Sequence, residues 1–353
     1  MKQPAFSSAS GERLTLRTRV QALRPRPDQP IPASSQSPRS PGTLAPGVTL
    51  SSTEEISTDR MRTHHRWLLA ALLVAAFTGA IFAVAPRPRP SRQITIPADG
   101  YQIAGYISEA ADPHGVWVIF VHGNRAEGQG HVLYRRISGH LPAAVSVLSI
   151  DMRGFGNSSS EGLEASDRIL DRTGDIEAAA DYLGAEYGVE DIQIVLMGHS
   201  LGALQVLKAG QSGRYRGVIS IGPGDFRAYL GDAASRQLYA AKLSAATGIR
   251  VADQSIASEG PAFVPEHLFD PCPQSPTVLV FGAFDLEESL RRAAGEIPEA
   301  CAAAVRWETI PLSNHMYGTE WEFLPWPLRS AASWLPVGLL LWNLNHLILL
   351  DPV

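Results

Sequence analysis

The sequence predicts a doubly wound α/β domain on a mostly parallel sheet, and three observations carry that expectation. Downstream of residue 93, short continuous apolar runs alternate with stretches of helically spaced apolar residues. This is the pattern of a parallel sheet covered on both faces. Polar and glycine-containing motifs recur directly after those runs, at the strand ends where such sheets bind ligands. One of them, Gly198-His199-Ser200-Leu201-Gly202, lies between an apolar run and a helix-like stretch from Ala203 to Ala209.

The chain begins with elements of a different kind. Residues 1–60 are rich in Pro, Ser and Arg without sustained apolar periodicity, too little apolar surface to offset chain entropy, so disorder is expected. Met61 heads a short basic stretch before an apolar run, the arrangement of a membrane-targeting start, so translation from Met61 is a second expectation. The 19 residues Trp67 to Ala85 carry no charge, and Thr78 is their one polar side chain. At 1.5 Å per residue the run nearly matches a bilayer core of about 30 Å, which predicts one membrane-spanning helix. Ala83-Val84-Ala85 has the small-residue spacing of a signal-peptidase site, but Pro86 follows it and disfavours cleavage. The expectation is therefore an uncleaved single-pass anchor with an extracytoplasmic domain, secretion after cleavage being the alternative. Arginines 60, 62 and 66 on one side balance 87, 89 and 92 on the other, so the charge rule does not orient the span.

Composition narrows the partners. The 353 residues are 45% hydrophobic and 18% charged, with a net charge of −5, so a large core is within reach. No basic patch interleaved with aromatics points to nucleic acid. The two cysteines, Cys272 and Cys301, lack metal-ligand spacing; a disulfide and two buried thiols both remain open.

From residue 93 the expected strands are 93–96, 101–108, 116–121, 145–150, 192–197, 217–221, 277–281 and 305–310, with helices over 168–187, 234–246 and 287–294. G-x-S-x-G after the run at 192 predicts a sharp strand-to-helix turn in which side chains at 198 and 202 would clash. The turn lifts the Ser200 hydroxyl clear of the sheet and leaves the Leu201 amide at a helix N-terminus. After the strand at 116 comes His122-Gly123-Asn124, whose glycine lets the Asn124 amide face that of Leu201 across a substrate oxygen. His122 is read as structural. Asp151-Met152-Arg153-Gly154-Phe155-Gly156 follows the strand at 145 and is read as a turn locked by the Asp151 and Arg153 side chains.

Together these motifs resemble the α/β-hydrolase superfamily, most of all the serine hydrolases grouped with lysophospholipases, monoacylglycerol lipases and S33-type aminopeptidases. The resemblance spans about residues 93–335 and implies a nucleophile–acid–histidine order along the chain. Ser200 matches the nucleophile and Asp285, after the strand at 277, the acid. Asp225 is a weaker candidate from the preceding strand end. His315, after the last strand, matches the base; the backbone amides of Asn124 and Leu201 form the implied oxyanion hole. No metal or organic cofactor is implied.

Residues 226–276 form the insertion where relatives carry a lid. The tail 336–353 is hydrophobic and follows three tryptophans, with Trp342 inside it; an interfacial segment and a helix packed on the body are both consistent with it. The function read from these residues is a membrane-anchored serine hydrolase acting on carboxylic esters, small-molecule or lipid. A peptidase or amidase uses the same triad, and a non-catalytic binding module on the same fold is the reading from another class.

Overall fold

The computed structural model describes residues 89–112, 115–161, 163, 168–285, 297, 301–317, 336–344 and 347–348. The expected segments at 1–60 and 67–85 and the expected helix at 287–294 lie outside them. No helix among the described residues is long and apolar enough to cross a membrane.

Eight strands form one sheet: β1 (Arg92–Ala98), β2 (Tyr101–Ser108), β3 (Trp117–Val121), β4 (Ser146–Ile150), β5 (Ile194–His199), β6 (Gly217–Ile221), β7 (Thr277–Gly282) and β8 (Val305–Ile310). Their order is β1-β2-β4-β3-β5-β6-β7-β8. β2 is antiparallel to both its neighbours, while β3 to β8 all pair in parallel. Two consequences decide where a site can form. Seven carboxyl ends point one way, with β2 alone reversed, and β5 stands at the middle of the row.

Alternation along the central strands builds two cores. Val118, Phe120, Val195, Met197, Val278 and Val280 bury one face beneath α1 (Val132–His140) and the C-terminal helical segment at 336–344. Ile119, Val121, Ile194, Leu196, Leu279 and Phe281 bury the other beneath α2 (Thr173–Tyr187) and α3 (Leu201–Gly210). With both faces covered, every residue of β3, β5 and β6 is buried. That is why these strands read as unbroken apolar runs.

Two expected boundaries shift for visible reasons. Residues Asp191–Gln193 form a 3-10 turn rather than the start of β5, because the Gln193 and Glu190 side chains reciprocally bond each other's backbone amides. The helix expected from Arg168 starts at Thr173. Upstream, the amides of Ile169, Leu170 and Asp171 all donate to the Glu259 carboxylate, and the Asp171 side chain accepts from the Thr173 amide. Those bonds hold the chain in a non-helical lead-in.

The insertion between β6 and β7 folds as α4 (Arg227–Leu230), α5 (Ala233–Thr247), α6 (Asp253–Glu259) and α7 (Pro265–Leu268). Tyr239, Ala240, Leu243 and Ile256 seat it on the same core as α3. In the C-terminal segment Val337, Leu340, Leu341 and Leu344 are buried at helical spacing while Trp342 is 64% exposed. The described tail is thus an amphipathic helix packed on the body.

Cys272 and Cys301 form a disulfide. It ties the end of the insertion to the turn before β8, with β7 and Asp285 inside the closed loop. For a sequence separation of 29, loop-closure entropy assigns it about 3.6 kcal/mol. Cys301→Ser, or reduction of the wild type, is expected to lower the melting temperature on the order of 10 °C; calorimetry with and without reductant checks this.

Candidate active site

At the carboxyl end of β5 the backbone of Ser200 adopts φ 54° and ψ −114°, a costly conformation for a residue with a side chain. Close contacts on both sides enforce it. A Cβ at Gly198 would strike the carbonyl of Gly202, and one at Gly202 would strike the carbonyls of Val121 and His122. The strand and helix therefore cross at a separation only glycine permits. The Ser200 amide donates to the Ile221 carbonyl at 2.9 Å, fixing the turn to β6. Leu201 is the first residue of α3, so its amide has no intrahelical acceptor.

Two loops at the far side of the sheet supply the other groups. After β7 the chain reaches Asp285, and after β8 it reaches His315. The two loops are laced together: Ala283 donates to Ile310 O at 2.9 Å and Phe284 to Ser313 O at 2.7 Å. His315 Nε2 lies 3.0 Å from Ser200 Oγ, and its Nδ1 lies 3.2 Å from Asp285 Oδ2. The carboxylate is almost fully buried and the imidazole about one-fifth exposed. The fold thus brings together three side chains spread over more than a hundred residues in a chain of hydrogen bonds. Gly222, at φ +56°, lies beside them; a Cβ there would crowd His315 Nδ1 at 3.2 Å and Asp285 Oδ2 at 3.3 Å. Asp225, the other acidic candidate, is engaged elsewhere, accepting from Arg227 Nε and Nη2.

Asn124 and Leu201 line one cavity with Ser200 and His315; its volume is about 570 Å³. Phe226, Tyr229 and Tyr239 of the insertion form its aromatic wall.

The supporting residues behave as chemistry requires. His122 is fully buried; its Nε2 accepts from the Met152 amide at 3.0 Å, so Nδ1 carries the proton and donates to Gly123 O. It is a neutral structural imidazole under the Gly123 turn. Asp151 accepts from the amides of Gln129 and Asn157 and from the Tyr106 hydroxyl. Arg153 pairs with buried Asp175 at 2.6 Å. Both hold the turn without reaching the cavity.

A further network is one that sequence reasoning did not find. His199, directly before Ser200, is fully buried. Its Nε2 lies 2.8 Å from the His315 carbonyl, which can only accept, so Nε2 is the donor. Nδ1 must then accept, and the Tyr134 hydroxyl lies 3.2 Å from it. The Gly123 amide in turn donates to that hydroxyl. One chain of bonds therefore joins the Gly123 turn, the strand bearing Ser200 and the loop bearing His315. The one available signal was His199 itself, a polar residue closing an apolar strand. Its partner, 65 residues away, has no mark in the sequence.

The matched model of the alpha/beta hydrolase family covers residues 118–352. The chain belongs to the alpha/beta hydrolase family. Protein YfhR of Salmonella typhimurium strain LT2 is 33% identical over 129 residues, 35% of this chain and 42% of that protein. The matched part thus spans about two fifths of the length of the curated relatives. Among solved structures, Est1E of Butyrivibrio proteoclasticus with ferulic acid bound aligns with TM-score 0.51 at 18% identity, over 72% of this chain and 98% of that one. The 2,6-dihydroxy-pseudo-oxynicotine hydrolase aligns with TM-score 0.50 at 17% identity, over 74% and 69%. At these identities the likeness concerns the fold. Family membership gives the protein the alpha/beta hydrolase fold.

Burial holds both His122 and His199 below the usual imidazole range, His199 well below it. Unfolded histidine takes a proton near pH 6.5. The stability these neutral imidazoles contribute is therefore complete above that pH and declines as pH falls below it, by up to about 1.4 kcal/mol per pH unit for each. Thermal melts from about pH 8 to about pH 5 should show this decline, and His199→Asn should make it shallower.

Proposed function

We propose that the protein is a serine hydrolase that cleaves carboxylic esters through an acyl-enzyme. The observation that carries this reading is the unbroken path Ser200 Oγ–His315 Nε2 and His315 Nδ1–Asp285 Oδ2, at 3.0 and 3.2 Å. Ser200 Oγ attacks the ester carbonyl and its proton passes to His315 Nε2. Asp285 holds the imidazole in the required tautomer and stabilises its charged form. The amides of Asn124 and Leu201 donate to the tetrahedral oxyanion, each worth about 3 kcal/mol in comparable sites. The C–O bond then breaks, and His315 returns the proton to the departing alkoxide. Water, deprotonated by His315, attacks the acyl-serine and regenerates the enzyme. The insertion, as a lid, supplies the wall against which the substrate packs.

Arg89 donates through its amide to Gly139 O and through Nη1 to Val145 O, and Ser108 Oγ donates to Pro90 O. These contacts lie beside the start of β4, at the end of the sheet opposite Ser200, and an anchor at 67–85 joins the domain there. The disulfide supports an oxidising, extracytoplasmic setting for the domain.

A fluorophosphonate probe is expected to label the wild type and not Ser200→Ala, whose kcat should fall by about 10⁴-fold or more. A folded wild-type protein that never labels would defeat the reading in favour of a binding module. Aminoacyl anilides assayed beside 4-nitrophenyl esters separate peptidase from esterase. Tyr134→Phe leaves His199 Nδ1 without its donor and should lower kcat about tenfold with KM little changed, at a stability cost of about 1–3 kcal/mol.

A further inference from the structure

The charges around the cavity have no part in bond cleavage, yet they are unevenly placed. Among its described lining residues the formally charged ones are Arg125, Glu127 and Lys242, two cations against one carboxylate. Arg125 directly follows Asn124, and its position is fixed from both sides: its amide donates to Gly123 O at 2.8 Å, and its carbonyl accepts from the Gly128 amide at 2.9 Å. Its charge reaches the centre of the site. At His199, beside the nucleophile, burial dominates, and Arg125 adds to the same downward push on the imidazole pKa.

Lys242 comes from the opposite wall. Tyr239, Lys242 and Ala246 of α5 line the cavity together, at the three- and four-residue spacing that puts them on one helix face. The Lys242 ammonium lies 5.8 Å from the centre of the Tyr229 ring. That aromatic face, which could otherwise receive a cationic ligand, already has a cation over it. Phe226 packs edge-on against Tyr229 and Tyr239, with ring centroids 5.6 and 4.9 Å apart, so the wall between the charged groups is apolar. A cavity of about 570 Å³ holds a compact organic ligand rather than several long chains.

We propose that this cavity selects an ester carrying a carboxylate or similar anionic group close to the scissile bond, received by Arg125 and Lys242 while Phe226, Tyr229 and Tyr239 pack its apolar body. The proposal rests on the serine-hydrolase reading and adds the substrate class to it. Two cations beside an anion, against one carboxylate among the described lining residues, give a preference of about tenfold.

The test is a set of acetate esters differing in one substituent: 4-acetoxybenzoate, 4-acetoxybenzamide and 4-acetoxy-N,N,N-trimethylanilinium. Mono-4-nitrophenyl glutarate against 4-nitrophenyl pentanoate makes the same comparison on the acyl side. Each kcat/KM is divided by the ester's rate of hydroxide hydrolysis to remove intrinsic reactivity. In at least one series the anionic ester is expected to exceed the neutral one by about tenfold, with the cationic ester lowest in its own. That advantage should shrink as salt rises from about 0.05 to about 0.5 M. Charge reversal by Lys242→Glu or Arg125→Glu should bring the anionic-to-neutral ratio to one or below. If either variant fails to fold, the wild-type ratio and its salt dependence still decide. Equal rates within both series, or a preference for the cation, overturn the substrate class while leaving the hydrolase reading intact. No turnover of any ester and no fluorophosphonate labelling overturns the hydrolase reading itself.

Discussion

Everything at the candidate site depends on how closely β5 and α3 pass each other at Ser200. Atoms that cannot be moved apart set that crossing: the carbonyls of Val121, His122 and Gly202 occupy the space where side chains at 198 and 202 would go. The close approach forces Ser200 to a positive φ, and the positive φ raises its hydroxyl above the sheet. The strain is local; the two buried cores that press strand and helix together are spread over both faces of the domain. A marginal conformation is thus sustained by many ordinary contacts.

Around that fixed point the remaining groups arrive by different routes. The acid and histidine loops are bonded to each other before either reaches the serine, through the amides of Ala283 and Phe284. They are positioned as a pair. The Gly123 turn rests on His122, whose neutral imidazole bridges the Met152 amide and the Gly123 carbonyl. His199 and Tyr134 then connect the three loops from beneath. The imidazoles of His122 and His199 are buried with partners whose donor and acceptor roles are complementary, as a water-poor environment demands.

Much of this could be read from the chain alone, for identifiable reasons. Parallel strands buried on both faces must be apolar throughout, so β3 to β7 stand out as runs. The two glycines around Ser200 are visible because no other residue fits the crossing. Asp285 and His315 were assigned from the chain order that the family resemblance implies, and the fold sets His315 against Ser200 and Asp285 against His315. The start of β5 was misplaced because Ile192, apolar but 59% exposed, belongs to a turn held by side-chain bonds. The pairing of the two cysteines stayed open, since spacing alone does not distinguish a disulfide from two thiols. The cavity's charges were out of reach altogether. Arg125 and Lys242 lie on elements 117 residues apart, and nothing local in either stretch announces that they face the same space.

The bonds of His199 bear on how this chain can change over time. A buried imidazole with one nitrogen committed to donating requires a donor opposite the other, and Tyr134 Oη is the group in place. Replacement of the tyrosine strands the histidine, and replacement of the histidine strands the tyrosine. Positions 134 and 199 should therefore vary as a couple among descendants of a common ancestor, a statistical signature that any sufficiently deep collection of homologous sequences would carry.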